Sequence, residues 1–147
     1  MRKQIYYEDV PVGQETPVLE KNINNINMAM YCAVNWLMDR IHYDHIFATK
    51  ERGLPDVVEP GNMGLDYYCQ LLDDWIGEKG RLRKISVQYR DFRVPGDTIK
   101  CRGKVINKYV KDQKGLIELE ISMIKKNGVN CVPGKALVEL PIRGSKN

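Results

Sequence analysis

The sequence has no apolar run approaching the ~18 to 20 residues a membrane-spanning helix needs. Its longest are short stretches such as residues 28–34. Behind the basic start Arg2-Lys3 there is neither an apolar stretch nor a small-residue cleavage site, so no secretory signal is read and a cytoplasmic chain is expected. The four cysteines, Cys32, Cys69, Cys101 and Cys131, lie more than 25 residues apart and form no Cys-x-x-Cys pair. They are read as reduced thiols packed in a core. Repeats, low-complexity tracts, glycine-rich phosphate loops, metal-ligand clusters and a serine nucleophile elbow are also missing, so no metal or redox cofactor is expected.

What remains is a globular composition. At 147 residues the chain is read as one domain, 1–147, long enough to bury roughly 70% of its unfolded surface. The net charge of +4 is unevenly placed, because residues 78–104 hold nine basic and three acidic residues. Such a segment is either a solvated strand face or a surface for phosphates. Its basic residues follow strand periodicity without stacking aromatics, which argues against a nucleic-acid module.

The periodicity changes once, near Gly77. Before it, Ile26, Met30, Ala33, Val34 and Leu37 fall on one face of a helix, capped by Asn24 or Asn25 and ending near Met38. A second helix is predicted from about Asn62 to Ile76, with Leu65, Tyr68, Leu72 and Ile76 as its stripe and Cys69 and Trp75 beside it. Pro60 opens it and Gly77 closes it. After Gly77 the period is two, and the inward sets are Ile85, Val87 and Tyr89; then Ile99, Cys101, Gly103 and Val105; then Ile117, Leu119, Ile121 and Met123; then Ala136, Val138 and Leu140. Turn residues at 94–97, 112–115 and 127–128 separate them, so an antiparallel meander is predicted, with a further strand through Glu15–Lys21. The fold class is α+β.

The residues then carry a resemblance. Tyr7-Glu8-Asp9-Val10-Pro11-Val12-Gly13-Gln14-Glu15, the stretch from Asp39 to Ala48, Gly53-Leu54-Pro55 through Glu59-Pro60-Gly61, and Val94-Pro95-Gly96-Asp97-Thr98-Ile99 resemble, in collinear order, the MaoC-like dehydratases related to (R)-specific enoyl-CoA hydratases. The resemblance runs from about residue 6 to residue 141. It implies the hotdog fold, an antiparallel sheet wrapped around the helix of residues 62–76. It also implies pairing with a second hotdog unit, as a homodimer or a heterodimer.

Hydration of an enoyl thioester needs a base for the water, an acid for the α-carbon and donors for the developing enolate oxygen. His42, one of two histidines, has a carboxylate three residues before it and another two after. On spacing alone it is a hydrogen-bonded loop histidine; the resemblance implies a catalytic one. The family motif carries its acid five residues before the histidine, where this chain has Leu37, while Asp39 and Arg40 stand at the motif's Asn and Pro positions. Asp39 is therefore expected to take the acid's role from a shifted loop. Asp44 matches the Asp that follows the family histidine and is expected near the substrate, capping a short helix that begins near His45.

Gly61, at the start of the central helix, matches the family's oxyanion donor, with Asn62 as a helper in substrate binding; as a plain turn, Pro60-Gly61 merely opens the helix. Arg83, Lys84, Arg90 and Arg93 are expected at a basic mouth for the phosphates of coenzyme A, which enters as part of the substrate and not as a cofactor. Tyr31, Trp36, Tyr67 and Tyr68 either line an acyl pocket or belong to the core. The resemblance thus implies a hydro-lyase acting on an acyl-CoA. A catalytically silent hotdog subunit of a heteromeric hydratase and an acyl-CoA thioesterase are the alternatives.

Overall fold

Asn24 opens the first helix with its side chain: Oδ1 accepts the Asn27 amide at 2.9 Å, pairing one of the donors that a helix start leaves free. In the computed structural model, which describes residues 4–144, this helix, α1, spans Asn25–Val34. It stops short of Met38 because Trp36 takes a positive φ of 51° and the Leu37 amide turns back onto the Cys32 carbonyl. Its orientation corrects the expected stripe. Met28 and Cys32 face the core, whereas Ile26, Met30 and Val34 are 72%, 62% and 80% exposed. Apolar residues occupy both faces of α1, so spacing could not say which face the rest of the chain covers.

The second helix, α2, spans Gly61–Ile76 between Pro60 and Gly77, whose φ of 75° lets the chain leave in a conformation other residues adopt only with strain. Tyr68, Leu72 and Ile76 are fully buried along it, flanked by Leu71 and Trp75. Each such side chain contributes roughly 1.5–3 kcal/mol of burial energy.

Five strands form one antiparallel sheet: β1 (Leu19–Asn22), β2 (Arg81–Val87), β3 (Thr98–Lys111), β4 (Lys114–Lys125) and β5 (Gly134–Leu140). Their order is β1-β3-β4-β5-β2. Only β3, β4 and β5 make the predicted meander; β2 pairs with β5 instead of β3, whose other edge is taken by β1 through Leu19 opposite Cys101. Residues 88–97 are long enough to carry the chain from one side of the sheet to the other, whereas β3 and β4 are joined by Asp112 and Gln113 alone, at φ 50° and 60°. Two further expectations shift. Tyr89 lies beyond the end of β2, and the predicted Glu15–Lys21 strand is reduced to β1 plus an isolated bridge from Glu15 to Lys104.

Irregular pairing between Leu82 and Lys84 and between Val105 and Asn107 helps the sheet to curl. Its inner face presents Ile99, Cys101, Val105, Ile117, Leu119, Ile121, Met123, Ala136, Val138 and Leu140, all buried, around α2. The predicted helix within a sheet is therefore the architecture. The four cysteines are free thiols, and burial pushes Cys101 up to about 12, which leaves it a poor nucleophile at neutral pH. Among the described residues no helix is long and apolar enough to cross a membrane.

Candidate active site

Between α1 and α2 the chain forms a loop from residue 35 to residue 60 whose backbone folds back upon itself. A short 3-10 turn, Arg40–His42, starts after Asp39, whose Oδ1 accepts the Ile41 amide at 3.2 Å. Further along, the Val58 amide donates to the Ile41 carbonyl at 3.0 Å. The Val58 carbonyl then stands 2.7 Å from His42 Nδ1. A carbonyl can only accept, so this contact places the proton on Nδ1 and leaves the lone pair of the neutral ring on Nε2. His42 is half-buried and held in one tautomer, as a general base must be.

The expected partner of His42 is thereby corrected. Asp39 spends its carboxylate on the Ile41 amide, and the imidazole is oriented by the Val58 carbonyl instead. A short local turn offers an unpaired amide two residues on, and a carboxylate at its start satisfies that donor first. The histidine in contact with a carboxylate is His45, whose Nδ1 lies 2.9 Å from Asp56 Oδ1, but its side chain is 67% exposed. This contact and the Val57 amide hold Asp56 below the usual carboxylate range.

Asp44 accepts the Phe47 amide at 3.0 Å, capping the helical segment that follows, and binds the Arg40 guanidinium at 2.8 and 3.1 Å. The Phe47 amide and then Arg40 lower its pKa. Arg40 in turn stacks 4.2 Å from the Phe47 ring centroid.

From Val58 the chain reaches α2 in three residues. Gly61 and Asn62 sit in the first turn, ahead of the Gly64 amide, which donates to the Pro60 carbonyl at 3.3 Å. Their amides lie in the turn whose donors find no acceptor within the helix. Tyr89 covers this turn. Its hydroxyl donates to the Gly61 carbonyl at 3.0 Å, and a Cβ on residue 61 would stand 3.2 Å from the tyrosine ring. Asn62 is exposed.

Two charged side chains, Glu59 and Arg93, are buried beneath this turn, with Arg93 Nε donating to Glu59 Oε2. The Glu59 amide also donates to the Arg93 carbonyl at 2.8 Å. Burial pushes Glu59 above the usual carboxylate range, against the pull of Arg93. The guanidinium lies on Gly64, where a Cβ would come within 2.8 Å of it. Arg93 therefore does not stand at a basic mouth; its charge is consumed in the core.

The other three cations also occupy separate settings. Arg83 Nε binds Glu139 at 2.6 Å, Arg90 reaches Gln88 at 2.8 Å, and Lys84 lines a groove of about 680 Å³ on the outer face of the sheet. That groove runs past Glu118, Glu120 and Lys135, and neither His42 nor Gly61 lines it. The expected aromatic lining is divided as well. Tyr68 is core, Tyr67 faces Glu59, Tyr31 donates to Asp66 at 2.9 Å, and Trp36 is 80% exposed. Among the described residues no group of three His, Cys, Asp or Glu gathers as metal ligands.

Sequence reasoning missed Val58, Glu59 and Tyr89. For Glu59 and Arg93 a signal existed: each is a lone charge inside an apolar stretch, Val57-Val58-Glu59-Pro60 and Phe92-Arg93-Val94-Pro95. A charge so placed is buried only with a partner.

No family model and no curated protein sequence matches the chain. Solved structures do. The (R)-hydratase from A. caviae involved in PHA biosynthesis is 21% identical and superposes with a TM-score of 0.80 over 91% of this chain and 99% of its own. The MaoC-like dehydratase from Rhodospirillum rubrum is 12% identical, with a TM-score of 0.82 over 96% of this chain and 99% of its own. The ChsH1-ChsH2 complex from Mycobacterium tuberculosis contributes a chain 18% identical, with a TM-score of 0.77 over 88% of this chain and 98% of its own. At these identities the likeness is one of fold, and the fold is the hotdog of the MaoC-like dehydratases and (R)-hydratases.

Proposed function

We propose that this chain is a MaoC-like hydro-lyase that adds water reversibly across the double bond of an enoyl thioester to give the 3-hydroxyacyl thioester. The observation that carries the reading is His42, held through Nδ1 by the Val58 carbonyl, in a loop that enters α2 at Gly61 three residues after Val58, where a helix start leaves amides without helical acceptors. His42 Nε2 takes a proton from water as the oxygen bonds to the β-carbon. The electron pair of the double bond moves toward the thioester carbonyl, whose oxygen is met by the Gly61 amide, with Asn62 beside it. Nε2 then returns its proton to the α-carbon. No proton or electron is left over, and one imidazole serves both transfers, which fits a loop in which Leu37 replaces the motif's acid.

Coenzyme A is the proposed carrier, with no separate cofactor. Its phosphates would use Arg83, Lys84 or Arg90 only where a second subunit completes a surface around them. The test is a panel of straight, branched and dicarboxylic enoyl-CoA substrates followed by loss of enoyl absorbance. Activity on at least one is expected, and inactivity on all of them refutes the reading for the chain alone.

A second reading has its own support. Leu37 at the acid position and the similarity to a chain of the ChsH1-ChsH2 complex favour a subunit that works beside a different hotdog chain.

Either way two hotdog units are proposed to associate. Strand β2 is an edge of the sheet, and Ile26, Met30, Val34, Trp36 and Met38 expose an apolar surface along and just after α1. Open edges and large apolar patches mark association surfaces. Light scattering is expected to give a dimer. A 17.0 kDa monomer at micromolar concentration would contradict it.

A further inference from the structure

We infer that the buried Glu59–Arg93 pair is a positioning device for the proposed site, fixing the separation between His42 and the Gly61 amide; the inference rests on the hydratase reading only for its kinetic arm. Glu59 is the residue between the two chemical elements. On its N-terminal side Val58 holds His42 Nδ1 at 2.7 Å, and on its C-terminal side Pro60 leads directly into Gly61. A loop of this kind has no ladder of its own to set its position.

What sets it is residue 93, at two levels. The Arg93 carbonyl accepts the Glu59 amide, and the Arg93 guanidinium binds the Glu59 carboxylate. The connection from β2 to β3, which Asp97 fastens further along through the Val94 amide at 3.0 Å, is thereby tied to residue 59 by backbone and side chain together. Gly64 completes the arrangement, since only a residue without Cβ lets the guanidinium lie against α2 one turn below Gly61.

Stability alone does not account for the pair. Glu59 and Arg93 side chains are 0% and 3% exposed, and an apolar pair of similar size would in general hold the core as well or better. Besides Arg93 the carboxylate faces the Tyr67 side chain, yet its Oε1 makes no hydrogen bond within normal geometry. A planar guanidinium specifies distance and direction in a way that an apolar contact does not.

The experiment replaces both charges at once, Glu59→Met with Arg93→Met, so that no unpaired charge is left to unfold the chain. Melting temperature, the His42 tautomer by nitrogen-proton correlation NMR, and kcat and KM on the best enoyl-CoA of the panel are measured. Expected are a melting temperature equal to or above wild type, a His42 signal moved from Nδ1–H toward the Nε2–H form, and kcat lowered about tenfold or more with KM within about twofold. A folded double variant with unchanged tautomer and unchanged kcat would overturn the inference. If the double variant loses its fold, Glu59→Gln read by the same NMR signal decides, with an unchanged tautomer counting against the inference. Should wild type be inactive on every substrate, the hydratase reading falls, and the tautomer measurement still tests the positioning role.

Discussion

His42→Ala is expected to lower kcat/KM for enoyl-thioester hydration by at least ~10², the usual worth of a positioned acid–base group. The size of the effect follows from the geometry. Asp39 is committed to the Ile41 amide, and the other histidine of the loop, His45, is exposed and bound to Asp56, so neither stands ready to replace the lost imidazole. Two companions separate this from a general disturbance of the loop. His45→Ala breaks an exposed contact with Asp56 and is expected to keep activity within a few-fold. Asp39→Asn retains an oxygen for the Ile41 amide and is expected to do the same. A silent His42→Ala, or loss of activity confined to His45→Ala, would move the chemistry to the His45–Asp56 pair. A collapse in Asp39→Asn with an intact fold would restore the carboxylate partner that the structure assigns elsewhere.

Most of the fold could be read before the structure because it depends on period. The residues at every second position from Ile99 to Val105 and from Ile117 to Met123 are inward, and the helix between Pro60 and Gly77 runs where its punctuation placed it. Strand order could not be read in the same way. Alternation fixes which face of β2 is apolar but not which neighbour it joins, and its partner β5 lies beyond both β3 and β4 in the chain. Helix α1 failed for a related reason: Ile26, Met30 and Val34 compete with Met28 and Cys32, and only tertiary packing chooses.

The hydrogen-bond wiring around the candidate residues was much less legible than the fold. His42 is tied through Val58 to the stretch that enters α2 at Gly61 three residues later. The orienting acceptor, however, is a backbone carbonyl, which any residue at position 58 would supply, so no side chain announced it. The cations failed through burial. Arg93 lies five residues after Gln88 in a run that looks like a basic strand, yet its partner Glu59 is in a loop more than thirty residues earlier, a contact that spacing cannot reveal.

Arg93→Met alone is expected to destabilise the chain by about 3–5 kcal/mol near neutral pH, the usual consequence of removing one member of a buried pair. The loss comes from what stays behind. Glu59 would keep its burial without its cation, so its carboxyl, already above the ordinary range in the intact chain, would rise further. A carboxyl whose folded pKa exceeds its unfolded value binds protons more tightly in the folded state, and stability therefore falls as pH rises between the two values. The variant should consequently regain stability on acidification, as Glu59 becomes neutral. Asp44 and Asp56 act in the opposite sense: their depressed values contribute stability that disappears as pH falls through them. Both proteins share those two groups, so their contribution cancels when urea unfolding of variant and wild type is compared at pH ~5 and pH ~8. The gap between the two proteins is expected to be smaller at the acid value, and Glu59→Gln placed in the Arg93→Met background should abolish that pH dependence. An equal gap at both pH values would mean that the guanidinium stabilises by filling space against Gly64 and not by compensating the Glu59 charge.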